Sequence, residues 1–150
     1  MRLEIKPFEA LTVPELYALL RLRSEIFVVE QECVYLDLDG KDDRALHVLA
    51  WEGEDLVGYC RVFRPGDYFE EASFGRVAVS TEYRGRGYGV RIMDFTIDRI
   101  NKEMGPIPIA ISAQAYLKRF YEELGFEPEG ELYTEDGIPH LRMVLKPHKK

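Results

Sequence analysis

The segment Val77-Ala78-Val79-Ser80-Thr81-Glu82-Tyr83-Arg84-Gly85-Arg86-Gly87-Tyr88-Gly89-Val90-Arg91-Ile92-Met93 constrains this chain more than any other. Its left end, from Phe74 to Val79, is short and β-branched and reads as a strand. Beyond the turn, Val90, Met93, Ile97, Ile100 and Met104 recur three or four residues apart, the stripe of an amphipathic helix. Between them lie Gly85, Gly87 and Gly89, interleaved with Arg84, Arg86 and Tyr88. Glycine lets a backbone come close to a ligand, and the first amides of a helix have no internal partners. A strand that runs through such a turn into a helix N-terminus is a cradle for phosphate, reinforced by the helix dipole and the guanidinium groups.

Spacing narrows the choice of phosphate ligand. No Gly-Lys is followed by Ser or Thr, so the Walker pattern is absent, and G-x-G-x-x-G started at Gly85 would need its third glycine at Val90. What stands here is Arg84-x-x-Gly87-x-Gly89. It resembles the pyrophosphate-binding signature of the GNAT acetyltransferases, (Arg/Gln)-x-x-Gly-x-(Gly/Ala). An Arg/Gly-rich connection without a ligand is the competing reading of the hexapeptide alone.

With 150 residues, 46% of them hydrophobic and 31% charged, the chain is expected to form one domain spanning 1–150 with a real core. No apolar run approaches the ~18 residues that would span a membrane, and Met1-Arg2-Leu3-Glu4-Ile5-Lys6-Pro7 mixes charges unlike a signal peptide. Cys33 and Cys60 make neither a disulfide framework nor a metal pair, and His47, His140 and His148 are scattered, so no metal site is expected. A cytoplasmic protein is the expectation. A net charge of -7 argues against general nucleic-acid binding but leaves room for a local basic phosphate site.

Taken in order, residues 2–6 suggest a strand, and Thr12-Val13-Pro14-Glu15 is a helix start with a capping box, continuing to about Val29. Residues 30–43 lack periodicity and carry six carboxylates; their apolar members, Val34, Tyr35, Leu36 and Leu38, point to an ordered lid. Strands are expected at 45–52, 56–63 and 73–79, then the cradle and a helix to Met104. A strand at 107–112, a helix ending at Gly125, and strands near 127–133 and 140–145 around the Glu135-Asp136-Gly137 turn complete the chain. Hairpins and crossover helices together make this a mixed α+β domain.

That order is also the one GNAT folds follow. A second motif strengthens the resemblance: Gln114-Ala115-Tyr116-Leu117-Lys118-Arg119-Phe120-Tyr121-Glu122-Glu123-Leu124-Gly125-Phe126 is similar to the family's Asn-x-x-Ala-x-x-x-Tyr-(Glu)-x-x-Gly-Phe segment, with Gln114 where many members carry Asn. Phe27–Tyr35, Asp37-Leu38-Asp39-Gly40, Ser112–Ala115 and Tyr133–His140 resemble the ElaA-like branch, in which Val34 replaces a usual Pro. The resemblance implies the GNAT acyl-CoA N-acyltransferase fold, a central, mostly antiparallel sheet of six to seven strands flanked by helices. It further implies an N-acetyltransferase using acetyl-CoA as co-substrate and a small-molecule or peptide amine as acceptor. By the same resemblance, Val77, Ala78 and Val79 would align the pantetheine like an added strand, and Arg84, Gly85, Arg86, Gly87, Tyr88 and Gly89 would hold the pyrophosphate. Gln114 would contact the pantetheine arm, and Tyr121 would act as general acid. GNAT domains often pair, so a homodimer is among the expectations.

Three questions remain open in the sequence. The base that deprotonates the amine could be His47, alternating with apolar neighbours on its strand, or Glu30 or His140; a buried, hydrogen-bonded histidine is the alternative for His47. Glu30, Asp37, Asp39 and Glu32 of the lid, with His140, would form an acceptor site that attracts a cationic amine, unless the charges merely face solvent. Ser112 reads as a cap for the helix that follows rather than as a nucleophile. An acyl-CoA-binding module without turnover, or an acyltransferase for a longer acyl-CoA, shares the same cradle.

Overall fold

The computed structural model describes residues 1–147. The elements in chain order are β1 (Arg2–Pro7), α1 (Val13–Arg23), β2 (Leu46–Glu52), β3 (Asp55–Phe63), β4 (Ser73–Val79), α2 (Tyr88–Met104), β5 (Ile109–Gln114), α3 (Lys118–Glu123), β6 (Glu127–Glu135) and β7 (Ile138–Leu145). The α1 start is the capping box expected from its sequence: the Glu15 amide donates to Thr12 Oγ1 at 3.2 Å and the Thr12 amide donates to Glu15 Oε1 at 2.9 Å. The helix runs on towards Val29 as expected, but over Ser24–Glu30 it widens into π-type turns.

The seven strands among the described residues form two antiparallel arrays, β1-β2-β3-β4 and β5-β7-β6. They meet where β4 and β5 begin: Ala72 and Ile109 make a parallel bridge, and the Ala110 amide donates to the Ala72 carbonyl at 2.8 Å. Beyond that point the two strands share no ladder among the described residues and splay apart. Strand β5 starts two residues later than its apolar run suggests, because Pro108 has no amide to donate and the Ile107 amide turns back to the Gly105 carbonyl.

Strand β2 is buried on both faces, which is why its sequence reads as an apolar run. On one side Leu49 and Tyr59 pack with Leu19, Leu22 and Ile26 of α1 and its continuation. On the other, Val48, Cys60 and Val62 pack with Ile92, Met93 and Ile100 of α2. Helix α2 approaches β3 closely at Gly58, where a Cβ would overlap the Ile92 side chain and lie 3.2 Å from Ala50 Cβ. The packing of α2 on the sheet therefore favours glycine there, since any Cβ would displace the end of the Ile92 side chain and crowd Ala50.

Gly58→Ala forces this contact apart, and we expect a loss of about 1–3 kcal/mol in stability, the usual cost of overpacking. Urea denaturation measures it; a midpoint equal to that of the unsubstituted protein would show that α2 has slack at this contact.

Candidate functional site

The splay of β4 and β5 opens a cleft of about 790 Å³. Its walls are Ser73 to Val79 on one side and Ile111 to Gln114 on the other, with Tyr121 and Phe74 between. Strand β4 is bulged: Tyr59 faces Ala78 and Arg61 faces Gly75, so Arg76 and Val77 together oppose Cys60. Arg76 adopts a φ of +50°, and its guanidinium donates from Nε to Asp37 at 2.8 Å. The bulge turns the outer edge of β4 towards the cleft, where Val77, Ala78 and Val79 line it.

The cradle lies at the mouth. Gly85 and Gly87 both have φ of +77°, which only glycine adopts freely, and a Cβ on either would meet nothing within 4 Å. Gly87 caps α2 without any side-chain bond, and the Arg91 amide returns to the Gly87 carbonyl at 3.2 Å. The amides before Arg91 thus open on a space that no protein atom fills. Arg86 and Arg91 pair with no carboxylate among the described residues and lie over the Tyr83 and Tyr88 rings. Open space, helix N-terminus and free guanidinium groups suit a diphosphate. Arg84 is differently engaged: it grips Glu30 at 2.5 and 2.6 Å and donates to the Val79 carbonyl at 3.1 Å, tying lid, cradle and β4 together. Hydrogen bonds from Arg84 hold the Glu30 carboxyl below its ordinary range.

Tyr121 sits at the floor, 5% exposed, among Phe74, Phe120 and Phe126. Tyr121 lines the cleft, and its hydroxyl has no protein hydrogen-bond partner among the described residues. Burial pushes its pKa upward, so it is a phenol at neutral pH. Gln114 lines the cleft as well, and its amide exchanges hydrogen bonds of 3.3 and 3.4 Å with Gln31 of the lid.

Three expected residues lie elsewhere. His47 is wholly buried and does not line the cleft. Its Nε2–H donates to the Asp42 carbonyl at 2.9 Å and its Nδ1 accepts from the Tyr59 hydroxyl at 2.6 Å, so it has no lone pair for an amine. The expectation of His47 as base is corrected accordingly. Asp37 and Asp39 also face away from the cleft, into an ionic network with Asp42. Arg23 binds Asp37 at 2.8 Å and Asp42 at 2.7 Å, Arg61 binds Asp39 at 2.8 Å and Asp42 at 3.0 Å, and Arg76 binds Asp37. Three arginines cancel three carboxylates, so these lid charges anchor the lid instead of attracting a cation. Glu30, paired with Arg84, is likewise neutralised.

Other polar groups line the cleft in their place. His140, 8% exposed, lies across the β5-β7-β6 array from Gln114 on one side and Tyr133 on the other. Ser112 caps no helix; it accepts a short hydrogen bond from Tyr133 and donates to Glu135 Oε1 at 3.3 Å. In the sequence Glu135 stands in a turn signal and in the ElaA-like Tyr133–His140 segment, with no site role attached to it. Its cue was the position two residues from Tyr133 on the same strand, on a face that meets His140.

The comparisons with known proteins agree with this geometry. The family model described as "Acetyltransferase (GNAT) domain" matches residues 23–147. The chain belongs to the GNAT acetyltransferase family. Protein ElaA of Escherichia coli is 43% identical over 136 residues, covering 89% of each chain. The crystal structure of Escherichia coli ElaA superposes with a TM-score of 0.90, covering 97% of this chain and 99% of that one. An acyl-CoA N-acyltransferase from Pseudomonas aeruginosa, 37% identical, superposes with a TM-score of 0.91 over the same shares of the two chains. An aminoglycoside 6'-N-acetyltransferase complexed with coenzyme A, at 17% identity and a TM-score of 0.73, shares the GNAT fold. The expected sheet, antiparallel apart from the β4–β5 splay, is therefore the GNAT sheet, and no helix among the described residues is long and apolar enough to cross a membrane.

The buried network and His47 should make this GNAT domain acid-sensitive in two stages. Burial depresses the pKa of His47, so below its ordinary value of about 6.5 the unfolded chain takes up a proton that the fold refuses, and stability falls. For Asp39, burial opposes ionisation, but Arg61 outweighs it and brings the pKa to about 2. The contribution of Asp39 is then complete above pH ~4 and is lost as pH falls towards 2. Melting temperatures from pH 8 to 2 should show both stages, with His47→Gln flattening the upper and Asp39→Asn the lower. Unaltered profiles in both variants would refute this account.

Proposed function

We propose that the chain is an acetyl-CoA-dependent N-acetyltransferase, acting as a single domain, that transfers the acetyl group to a primary amine by direct attack on the thioester. The observation that carries the reading is the unpartnered Tyr121 hydroxyl on the floor of a cleft whose mouth is the Gly85–Gly89 cradle. An enzyme of this kind must hold the donor, stabilise the oxyanion, and supply a proton to the leaving thiolate. The amides at the start of α2, with Arg86 and Arg91, suit the pyrophosphate. The free edge of β4 at Val77 to Val79 suits the pantetheine as an added strand, with Gln114 opposite. An amide of the bulged strand would polarise the carbonyl, and Tyr121 would protonate the sulfur.

Acetyl-CoA is favoured over longer thioesters because Tyr121, Phe74 and Phe120 close the floor with Phe126 packed behind them, ring against ring, at centroid distances of 5.1 to 6.2 Å. A series of acyl-CoAs assayed by free-thiol release measures this preference. Turnover that rises with chain length would replace acetyl with a longer acyl group. Binding without turnover across a broad amine panel would favour a ligand-binding module.

Gly89 tests the cradle. A Cβ there would only touch Phe120, at 3.8 Å, so Gly89→Val should fold with a small cost in melting temperature. Its side chain should nonetheless obstruct the phosphate, and we expect calorimetry to report at least about tenfold weaker coenzyme A binding. Equal affinity in a folded variant would remove the loop from the site.

Tyr121→Phe tests the acid. The ring and its aromatic contacts stay while the proton goes, so turnover should fall by ~10²–10⁴ with coenzyme A affinity retained. If the hydroxyl is merely structural, rate should persist and stability should drop by ~1–3 kcal/mol. Turnover and melting measured on one preparation separate the two outcomes.

A further inference from the structure

A ring nitrogen and a carboxylate oxygen face each other in the wall of the cleft, and no other protein group bonds to either atom among the described residues. The Nδ1–H of His140 donates to the Ile138 carbonyl at 2.7 Å, which leaves Nε2 as the ring atom that takes up or gives a proton. That atom stands 3.5 Å from Glu135 Oε2. The other carboxylate oxygen of Glu135 already accepts from Ser112, and the Ser112 oxygen in turn accepts from Tyr133. The Ser112–Tyr133 chain therefore has no proton to spare for Oε2 or Nε2. Glu135 and its neighbour Asp136 differ from the other acidic groups near the donor: Glu30 is held by Arg84 and the lid aspartates by three arginines, whereas neither of these pairs with a lysine or arginine among the described residues, and only Glu135 meets His140. A group with several N–H donors and a positive charge satisfies both atoms. Beside it Tyr68 lines the cleft, stacked at 5.0 Å on the buried Phe63 ring, which the Arg61 guanidinium also overlies. Burial and then the nearby Glu135 charge raise the Tyr68 phenol, which sets that ring within the field of the same carboxylate.

We propose that Glu135 Oε2 and His140 Nε2 form the socket for the acceptor's ammonium group, and that Tyr68, backed by Phe63, holds its body, so that the acceptor is a primary amine on an aromatic or similarly apolar body. This rests on the acyl-transfer reading above and specifies its second substrate. Glu135 binds the cation, and His140 is the base. One N–H bond of the ammonium breaks, its electron pair stays on nitrogen, and the proton passes to Nε2, where Glu135 stabilises the imidazolium. The amine then attacks the thioester carbon and the C–S bond breaks. Of the ammonium's three protons, one leaves through His140 to solvent and one remains on the amide. The third departs the tetrahedral intermediate and replaces the proton that Tyr121 gives to the thiolate. An acceptor bearing a carboxylate beside its amine is disfavoured, since Glu135 and Asp136 line that end of the cleft while Arg61 and Arg76 are already bound to aspartates.

Calorimetric titration of phenethylamine into the coenzyme A-saturated protein tests the socket without requiring turnover. We expect saturable binding, weakened about tenfold or more by Glu135→Gln, as for loss of a charged hydrogen-bond partner. Phenylalanine, which adds a carboxylate, and 2-phenylethanol, which removes the charge, should bind at least about tenfold more weakly than phenethylamine. In steady-state assays with acetyl-CoA, Glu135→Gln should act mainly on the KM for phenethylamine. His140→Gln should lower kcat by ~10²–10⁴. Both variants should keep the coenzyme A affinity of the unsubstituted protein, which also reports that they are folded. Phenethylamine binding that is absent, or equal in Glu135→Gln, overturns the socket, as does equal binding of phenylalanine or 2-phenylethanol. An unchanged kcat in His140→Gln overturns the base. Glu135-dependent binding of phenethylamine with no acetyl transfer would leave the socket standing and refute the acyl-transfer reading instead.

Discussion

The site depends on the failure of β4 and β5 to stay paired. They join at Ala72 and Ile109 and then part, leaving the backbone edge of each strand facing a common space. An unpaired strand edge in a protein interior is costly unless something bonds to it, because each amide and carbonyl there has given up water. Here the edge lines an open cleft, so the groups remain wet until an extended ligand takes the place of the missing strand. The β4 bulge at Arg76 and Val77 belongs to the same device. It bends the strand away from β5, at the expense of a positive φ at Arg76 that the bonds from its side chain to Asp37 help to offset.

Those bonds lead into the network that sets the lid. Arg23 comes from α1, Arg61 from β3 and Arg76 from β4, and the three meet on aspartates only a few residues apart, Asp37, Asp39 and Asp42. Burying charge this deeply is justified energetically only when every charge has a partner, and its effect is directional more than stabilising. Few other arrangements of residues 37–42 would satisfy three guanidinium groups fixed on three different elements. The lid therefore keeps one position, with Glu30, Gln31, Cys33 and Tyr35 on its cleft side. Arg84 on Glu30 and Gln114 on Gln31 complete the fastening from the opposite walls.

The sequence made the scaffold readable because the scaffold is written in local signals. The capping box at Thr12, the strand–glycine–helix run around Gly87 and the Glu135-Asp136-Gly137 turn each depend on neighbours within a few residues, and each stands where the pattern puts it. The chemistry at the acceptor end depends on partners far away in the chain. Asp37 and Asp39 looked like free carboxylates because the arginines that cancel them lie in other elements, Arg23 fourteen positions before Asp37 and Arg61 twenty-two after Asp39. Glu135 looked like a turn former because nothing in its vicinity announces that β6 will lay it against His140 of β7. Charge is visible in a sequence, but its compensation is not.

The two histidines make the same point at the level of single atoms. Both sit on strands, both are at least nine-tenths buried, and both spend one ring N–H on a backbone carbonyl, Asp42 for His47 and Ile138 for His140. That shared bond fixes the tautomer and leaves one lone pair on each ring. In His47 the lone pair is taken by the Tyr59 hydroxyl, and the ring becomes a strut between β2, β3 and the base of the lid. In His140 the second ring nitrogen faces a carboxylate oxygen at 3.5 Å on the wall of the cleft, and no other protein group bonds to it among the described residues. Such a nitrogen–carboxylate pair beside open space can pass a proton to or take one from a ligand that reaches it. Function is therefore best sought at the polar atoms that the protein leaves unmatched beside an open space, and at this acceptor end those atoms belong to His140 and Glu135.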